Sequence, residues 1–365
     1  MLKNCFSILC IIIVSLVCFV CCSNNGASNT VDEPDVVTTP QIACDTVRLV
    51  VGGDLMQHMP QVYAARTEQG RYDYTSSLQY VSPMFRKADV AIINLETTLT
   101  RSSSYSGYPC FRSPIDLADA MVDMGIDIAL LANNHCLDGG VVGLETTVEE
   151  LTKRDIAHTG AFCSLEDYAS NNILYFDVKG IRFAMVNYTY GTNGLRPSRT
   201  QRVNFIDNEA ILRDIASINR DSVDCLIACM HWGIEYQRHP NAEQIKLAQL
   251  LRTAGVDVII GGHPHVVQRY EVDSSGVLFY SLGNFVSNQR KRYCDGGLIA
   301  EVEVIRCDTI DHLQFRATAH PIYVHMPGYR ILPRMVGDTL TMSQDSRYRY
   351  NLFMNDTESL LYGKK

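Results

Sequence analysis

The chain has 365 residues, 46% hydrophobic and 20% charged, and a formal net charge of −8. That length accommodates one large domain or two small ones and can bury a core without disulfide staples. The acidic balance excludes a general nucleic-acid binder, whose surface is basic, and an anionic ligand would have to meet a local positive centre such as a bound metal.

At the N-terminus, Lys3 is the only charge ahead of an almost unbroken apolar run from Ile8 to Cys22. A short basic region followed by an apolar stretch of this length reads as an export signal over residues 1–22. The run ends Cys18-Phe19-Val20-Cys21-Cys22, similar to a lipoprotein signal with lipid expected on Cys22 or Cys21. Because a spanning helix needs about 20 apolar residues, an uncleaved anchor and plain secretion stand as alternatives. Either form of anchor puts the protein in the cell envelope, attached to a membrane. Five of the 13 cysteines lie in this segment. The other eight form no CxxC pair and read mainly as buried thiols, although an exported protein could pair some of them. Residues 23–46 are polar and poor in aromatics, as in a flexible tether.

From Val47 the character changes. Residues 47–51, 90–93, 126–131, 181–186, 223–229 and 256–260 are short runs that are apolar at nearly every position. Such runs suit strands buried on both faces. Helical spacing appears over 115–124, 142–151 and 242–251, with Gly125 and Gly255 where C-caps belong. The alternation predicts an α/β fold with a mainly parallel sheet. Residues 277–280, 298–304 and 314–317 alternate more and lack intervening helices, which suggests antiparallel strands completing a second sheet. The main domain is expected over 47–330, with a C-terminal extension over 331–365 that packs as a terminal helix.

Ligand sites in open α/β sheets lie beyond the carboxyl ends of the strands. Polar clusters fall there six times: Gly53-Asp54, Asn94-Leu95-Glu96, Asn133-Asn134-His135-Cys136-Leu137-Asp138, Asn187 with Tyr190, His231-Trp232-Gly233-Ile234-Glu235, and Gly262-His263-Pro264-His265. Imidazole, carboxylate and carboxamide together suit zinc, manganese or iron. Each residue alone has an ordinary reading: Asp54 as a turn or cap, Glu96 as a surface residue, Asn133 and Asn134 as turn formers, His135 as a structural histidine. Their recurrence at successive strand ends favours a site. His58 and His239 have only proximity in their favour and are left outside it.

Gly-Asp-x-Met, Asn-Leu-Glu, Ala-Asn-Asn-His-x-x-Asp-x-Gly, His-Trp-Gly-x-Glu-Tyr, Gly-His-Pro-His and Tyr280-Ser281-Leu282-Gly283-Asn284-Phe285 follow one another in this chain. The series resembles the CapA capsule-synthesis family, associated with poly-γ-glutamate, and through it the calcineurin-like metallophosphoesterases. The resemblance implies a two-sheet α/β sandwich flanked by helices and holding one or two divalent ions. It implies Asp54, Glu96, Asn134, His231, His263 and His265 as ligands, with His135 as proton donor to a leaving group. Tyr190 and Glu235 are expected to position substrate. Phosphoesterases usually have Asp-x-His in the first motif; Met56 replaces that histidine, so one metal position is expected to be weak. The expected partners are an anionic cell-surface polymer, the membrane and capsule-synthesis membrane proteins. The clustered ligand set favours two functions, a metal-dependent hydrolase of the polymer or a non-catalytic protein that grips it during synthesis or export, over a purely structural surface lipoprotein with a decayed site.

Overall fold

The computed structural model describes residues 44–363. The expected signal over 1–22, with Cys21 and Cys22, and all but the last three residues of the expected tether lie outside these residues. In chain order the principal elements are β1 (Cys44–Leu55), β2 (Val90–Leu95), α1 (Asp116–Met124), β3 (Ile128–Leu130), α2 (Gly140–Thr152), β4 (Ala157–Thr159), β5 (Leu174–Val178), β6 (Ile181–Thr189), α3 (Asn208–Ser217), β7 (Cys225–His231), α4 (Ala242–Thr253), β8 (Val258–Gly262), β9 (Tyr270–Asp273), β10 (Gly276–Phe279), β11 (Asn284–Val286), β12 (Gly296–Cys307), β13 (Gln314–His325), β14 (Arg330–Pro333) and α5 (Gln344–Tyr362).

Two sheets result. The first runs β14-β13-β12-β1-β2-β3-β4, with β11 beside the end of β1; the second runs β9-β10-β8-β7-β6-β5. Burial on both faces explains the unbroken apolar runs. In β1, Val47, Leu49 and Val51 point into the core between the sheets, where they share a cluster with Phe183, Ile227 and Ile260 of the second sheet. Val50 and Leu55 belong instead to the cluster under α1 and α2. In β7, Cys225, Ile227 and Cys229 face inward, whereas Leu226, Ala228 and Met230 pack with Ile211 of α3 and Leu247 and Leu251 of α4. Strict alternation with both sides apolar produces a sequence with no polar face. Cys225 and Cys229 are accordingly buried free thiols.

Local signals set the helix ends. Asn241 Oδ1 accepts a hydrogen bond from the backbone N–H of Gln244, and Gln244 Oε1 accepts one from the backbone N–H of Asn241, forming a capping box at the start of α4. Gly125 ends α1 at φ +89°, a conformation that favours glycine.

Three expectations are corrected. Residues 298–304 and 314–317 do not complete the second sheet. β12 pairs antiparallel along the free side of β1, from Cys44↔Cys307 to Gly52↔Ile299, and β13 pairs with β12. Residues 277–280 do enter the second sheet, but β10 lies parallel to β8 as well as antiparallel to β9. β1 begins at Cys44, so residues 44–46 are strand rather than tether, and a Cys44–Cys307 disulfide closes that end of the pair. The segment after residue 330 belongs to the same body: β14 extends the first sheet, and α5 packs Tyr350 and Phe353 against Tyr323 of β13. Among the described residues no helix is long and apolar enough to cross a membrane.

A candidate metal centre at the strand ends

The parallel strands β1, β2 and β3 of one sheet and β6, β7 and β8 of the other end in one region, and their terminal side chains converge there. A register shift between Gly52 and Asp54 interrupts the pairing of β1 with β2; irregularities of this kind re-aim a side chain. Gly53 permits this, since a Cβ there would stand 2.1 Å from the Gly283 carbonyl oxygen.

Asp54 and Glu96 are fully buried. Asn94 Nδ2 donates to Asp54 Oδ1 at 2.8 Å and to Glu96 Oε2 at 3.3 Å, so one amide bridges the two carboxylates. Asn133 Nδ2 donates in turn to Asn94 Oδ1 at 3.1 Å, which fixes the orientation of that amide. His265 Nδ1 lies 3.1 Å from Asp54 Oδ2, and its Nε2 lies 3.8 Å from Glu96 Oε1. His231 Nε2 lies 2.7 Å from Asn134 Oδ1 and 3.7 Å from Glu96 Oε1. The ring of His263 is 4.9 Å from that of His231 and 5.9 Å from that of His265. The six residues expected as ligands therefore share one buried site.

His135 stands beside it, with Nδ1 2.7 Å from Asp138 Oδ2. The same Asp138 oxygen accepts the Phe111 backbone N–H, and Phe111 packs edge-on against the His135 ring at 4.6 Å. The open side is lined by the half-exposed Tyr190, whose ring is 4.3 Å from that of His263, and by the exposed Glu235. Met56 is buried, and its backbone N–H donates to the Val286 carbonyl. His58 bonds Gln61 and lies outside the cluster of donors.

The electrostatics suit a cation. Burial opposes the charge on Asp54, but the hydrogen bond and charge of His265, with His231 and Asn94, outweigh it and bring this carboxyl to about 2. Burial, and then the Asp54 charge, push Glu96 well above the usual carboxylate range. Burial lowers His231 to about 3, and burial with the neighbouring imidazoles holds His263 well below its ordinary value. Neutral imidazoles are the form that binds metals. Glu96 Oε1 and His263 Nδ1 are buried without a hydrogen-bond partner among the described residues; buried polar atoms are rarely left so. Donor atoms of Asp54, Glu96 and His265 lie within 4.8 Å of one another, as do those of Glu235, His263 and His265. Donors about 2.0–2.3 Å from a common ion would be spaced this way. The residues thus fit a first-row divalent ion such as manganese, zinc or iron.

Some site residues had no assigned part in the sequence reading. Asn94, Asn133 and Asp138 stand inside the quoted motifs and could have been found as neighbours of the ligands. Asn193 could not. It reaches in from the loop after β6, accepting from Asn134 Nδ2 at 3.3 Å and lying 3.4 Å from His135 Nδ1, and nothing in its sequence surroundings marks it.

Fold and site together define an α/β two-sheet sandwich with a buried histidine–carboxylate centre at the carboxyl ends of its strands. The chain belongs to the family described as bacterial capsule synthesis protein PGA_cap, whose model matches residues 48–289. It is 34% identical over 242 residues to the PGA biosynthesis protein CapA of Bacillus subtilis (strain 168), covering 65% of this chain and 62% of that protein. It is 29% identical over 258 residues to the capsule biosynthesis protein CapA of Bacillus anthracis, covering 67% and 61% respectively. The match thus spans about three fifths of the length of these relatives. Among solved structures it is similar to the 5'-nucleotidase from Candida albicans SC5314, with 16% identity, a TM-score of 0.48, and coverage of 86% of this chain and 58% of that one.

Proposed function

We propose that this chain is a metal-dependent hydrolase of the cell envelope that processes an anionic capsular polymer of the poly-γ-glutamate type. The observation that carries the reading is the pair of buried donors without a hydrogen-bond partner among the described residues, Glu96 Oε1 and His263 Nδ1, within a cluster of carboxylates and imidazoles. Asp54, Glu96, Asn134, His231, His263 and His265 would hold one or two ions. When bound, a divalent ion supplies Lewis-acid polarisation and lowers the pKa of water at the site. The protein's own residues do the rest. Asp138 orients the His135 ring so that it can give a proton to the departing group. Tyr190 borders the open side, where an extended chain would lie.

Recognition of an anionic chain is supported by cations on the nearby surface. Lys291 Nζ sits 3.7 Å from the centroid of the Tyr236 ring, and Tyr236 neighbours His265 at 6.4 Å. Arg238 and Arg292 flank the ring of Tyr293. These groups equally suit the second reading, a protein that grips the polymer without cutting it. Mass spectrometry of a γ-linked glutamate oligomer incubated with the zinc- or manganese-loaded full chain separates the two. Shortened products that disappear on chelation are expected. Binding without shortening would select the gripping role, and neither binding nor shortening would remove this polymer as the substrate.

Export is supported by the Cys44–Cys307 disulfide, since such bonds persist in oxidising compartments. The membrane attachment is proposed at Cys22 or Cys21, close to membrane partners in capsule synthesis. Metabolic labelling with a fatty-acid analogue should be lost when both cysteines are changed to serine. Label retained by that double variant would rule out lipid at either position.

A further inference from the structure

The first strand of this chain ends Asp54-Leu55-Met56, and a thioether is a poor donor to hard divalent ions. The centre therefore needs a donor from elsewhere if a second position is to be filled. Glu235 stands on the loop after β7, four residues beyond His231. One of its carboxylate oxygens, a ring nitrogen of His263 and a ring nitrogen of His265 all lie within 4.8 Å of one another.

We propose that Glu235 is a metal ligand, forming with His263 and His265 a two-histidine, one-carboxylate position for a first-row divalent ion. This rests on reading the cluster as a metal centre. It changes the part expected of Glu235 from touching substrate to holding the ion.

The independent observation is His263. Its ring is buried, Nδ1 has no partner among the described residues, and one of its ring nitrogens lies within 4.8 Å of a Glu235 carboxylate oxygen and a His265 ring nitrogen. A lone pair left in that state is costly unless a cation takes it. The two loops are also fastened together: the Tyr236 backbone N–H donates to the carbonyl of Pro264, between the two histidines, at 2.8 Å. The residue after Glu235 and both histidines have positive φ, +69° at Tyr236, +94° at His263 and +56° at His265. Left-handed backbone at non-glycine residues is unfavourable and persists where surrounding structure enforces it, commonly at functional sites. Here it occurs on both segments that supply the three donors.

The donor set has a recognisable chemistry. Two imidazoles and one carboxylate leave open positions around zinc or ferrous iron, as hydrolytic and oxygen-using sites require. The burial supports an open side, because Glu235 is exposed whereas Asp54 and Glu96 are fully buried. A substrate would approach from the Glu235 side, past Tyr190. The carboxylate of Glu235 restores in number the donor that Met56 lacks.

The test is metal binding rather than turnover. Full-length protein is stripped with a chelator and titrated with Zn2+ or Mn2+ by calorimetry, and bound metal is counted by elemental analysis. Glu235→Gln should weaken one ion by at least about 100-fold, more than the loss of a supporting group costs, and His263→Ala should weaken the same ion. Glu209→Gln, an exposed change on α3, should bind as the wild type does. Glu235 is exposed, so its amide variant should fold, and circular dichroism checks this. Wild-type affinity retained in Glu235→Gln while His263→Ala loses the ion would overturn the assignment of Glu235 alone. A wild type that takes up no ion would overturn the metal centre itself, and the Glu235 position with it.

Discussion

Glu96→Gln should empty the centre of metal and at the same time make the metal-free protein more stable. The two effects have one cause. Glu96 and Asp54 are carboxyl groups with no exposure to solvent, bridged by a single Asn94 amide, and Glu96 Oε1 has no hydrogen-bond partner among the described residues. Such an arrangement is favourable around a cation and unfavourable without one. A neutral amide of the same shape keeps the packing and removes a carboxyl that the metal-free fold accommodates only at the cost of taking up a proton. Metal affinity should fall by at least about 100-fold, since a direct ligand outweighs the supporting groups whose loss costs 10- to 100-fold. Polymer hydrolysis, where present, should fall below detection. The metal-free variant should gain about 1–2 kcal/mol at neutral pH. The gain depends on pH in a definite direction. Glu96 is held well above its ordinary value of 4.5 by burial and by Asp54. Above pH 4.5 the unfolded chain therefore releases a proton that the folded protein keeps, and the wild type loses stability as pH rises. The advantage of the variant should be absent near pH 4.5 and should grow toward neutrality. His231 and His263 also titrate differently in the two states, but they are present in both proteins, and most of their effect drops out of the difference. Urea denaturation in chelator at several pH values measures this. A variant that retains metal, or that is less stable than the wild type at pH 7, would show that Glu96 is not a ligand held in wait for a cation.

The sequence was informative where burial or chemistry acts locally. Strands such as β6 and β7 were legible because both faces are covered, leaving continuous apolar runs. The site was legible because parallel strands deliver their carboxyl ends to one place, so Asp54, Glu96, His231 and His265 could be expected together despite their separation in sequence. Partition between the sheets was less legible. An apolar run does not encode its neighbour, and the antiparallel pairing of β12 with β1 is not written in the alternation of residues 298–304. Asn193 was invisible for a different reason: a polar residue in a loop has no periodicity to betray its direction. Glu235 was visible within the His-Trp-Gly-x-Glu-Tyr motif, but its proximity to His263 and His265 was not, because it goes with contacts between two loops, among them the hydrogen bond from Tyr236 to Pro264.

Removing the Cys44–Cys307 disulfide should cost the fold about 2–4 kcal/mol while leaving metal binding intact. The bond joins residues 263 apart and lies at one end of the long β1–β12 pairing, opposite each other in register. A cross-link enclosing so much chain restricts the unfolded state strongly, and in the chain-entropy account its effect grows with the logarithm of the loop. The folded state loses little in exchange, because the ladder from Asp45↔Arg306 to Gly52↔Ile299 and the core contacts of Val47, Leu49 and Val51 remain. Asp54 sits at the other end of the same twelve-residue strand, so the ligand geometry should not feel the change. The double variant Cys44→Ser, Cys307→Ser should therefore show a lower urea midpoint and an unaltered zinc titration. Wild-type protein treated with a reductant should reach the same midpoint as the untreated variant, since the buried Cys225 and Cys229 are already free thiols. Protein made in a reducing compartment should resemble the variant. A variant and a reduced wild type both as stable as the oxidised protein would mean that this cross-link does not form, and the support it lends to an oxidising location would go with it.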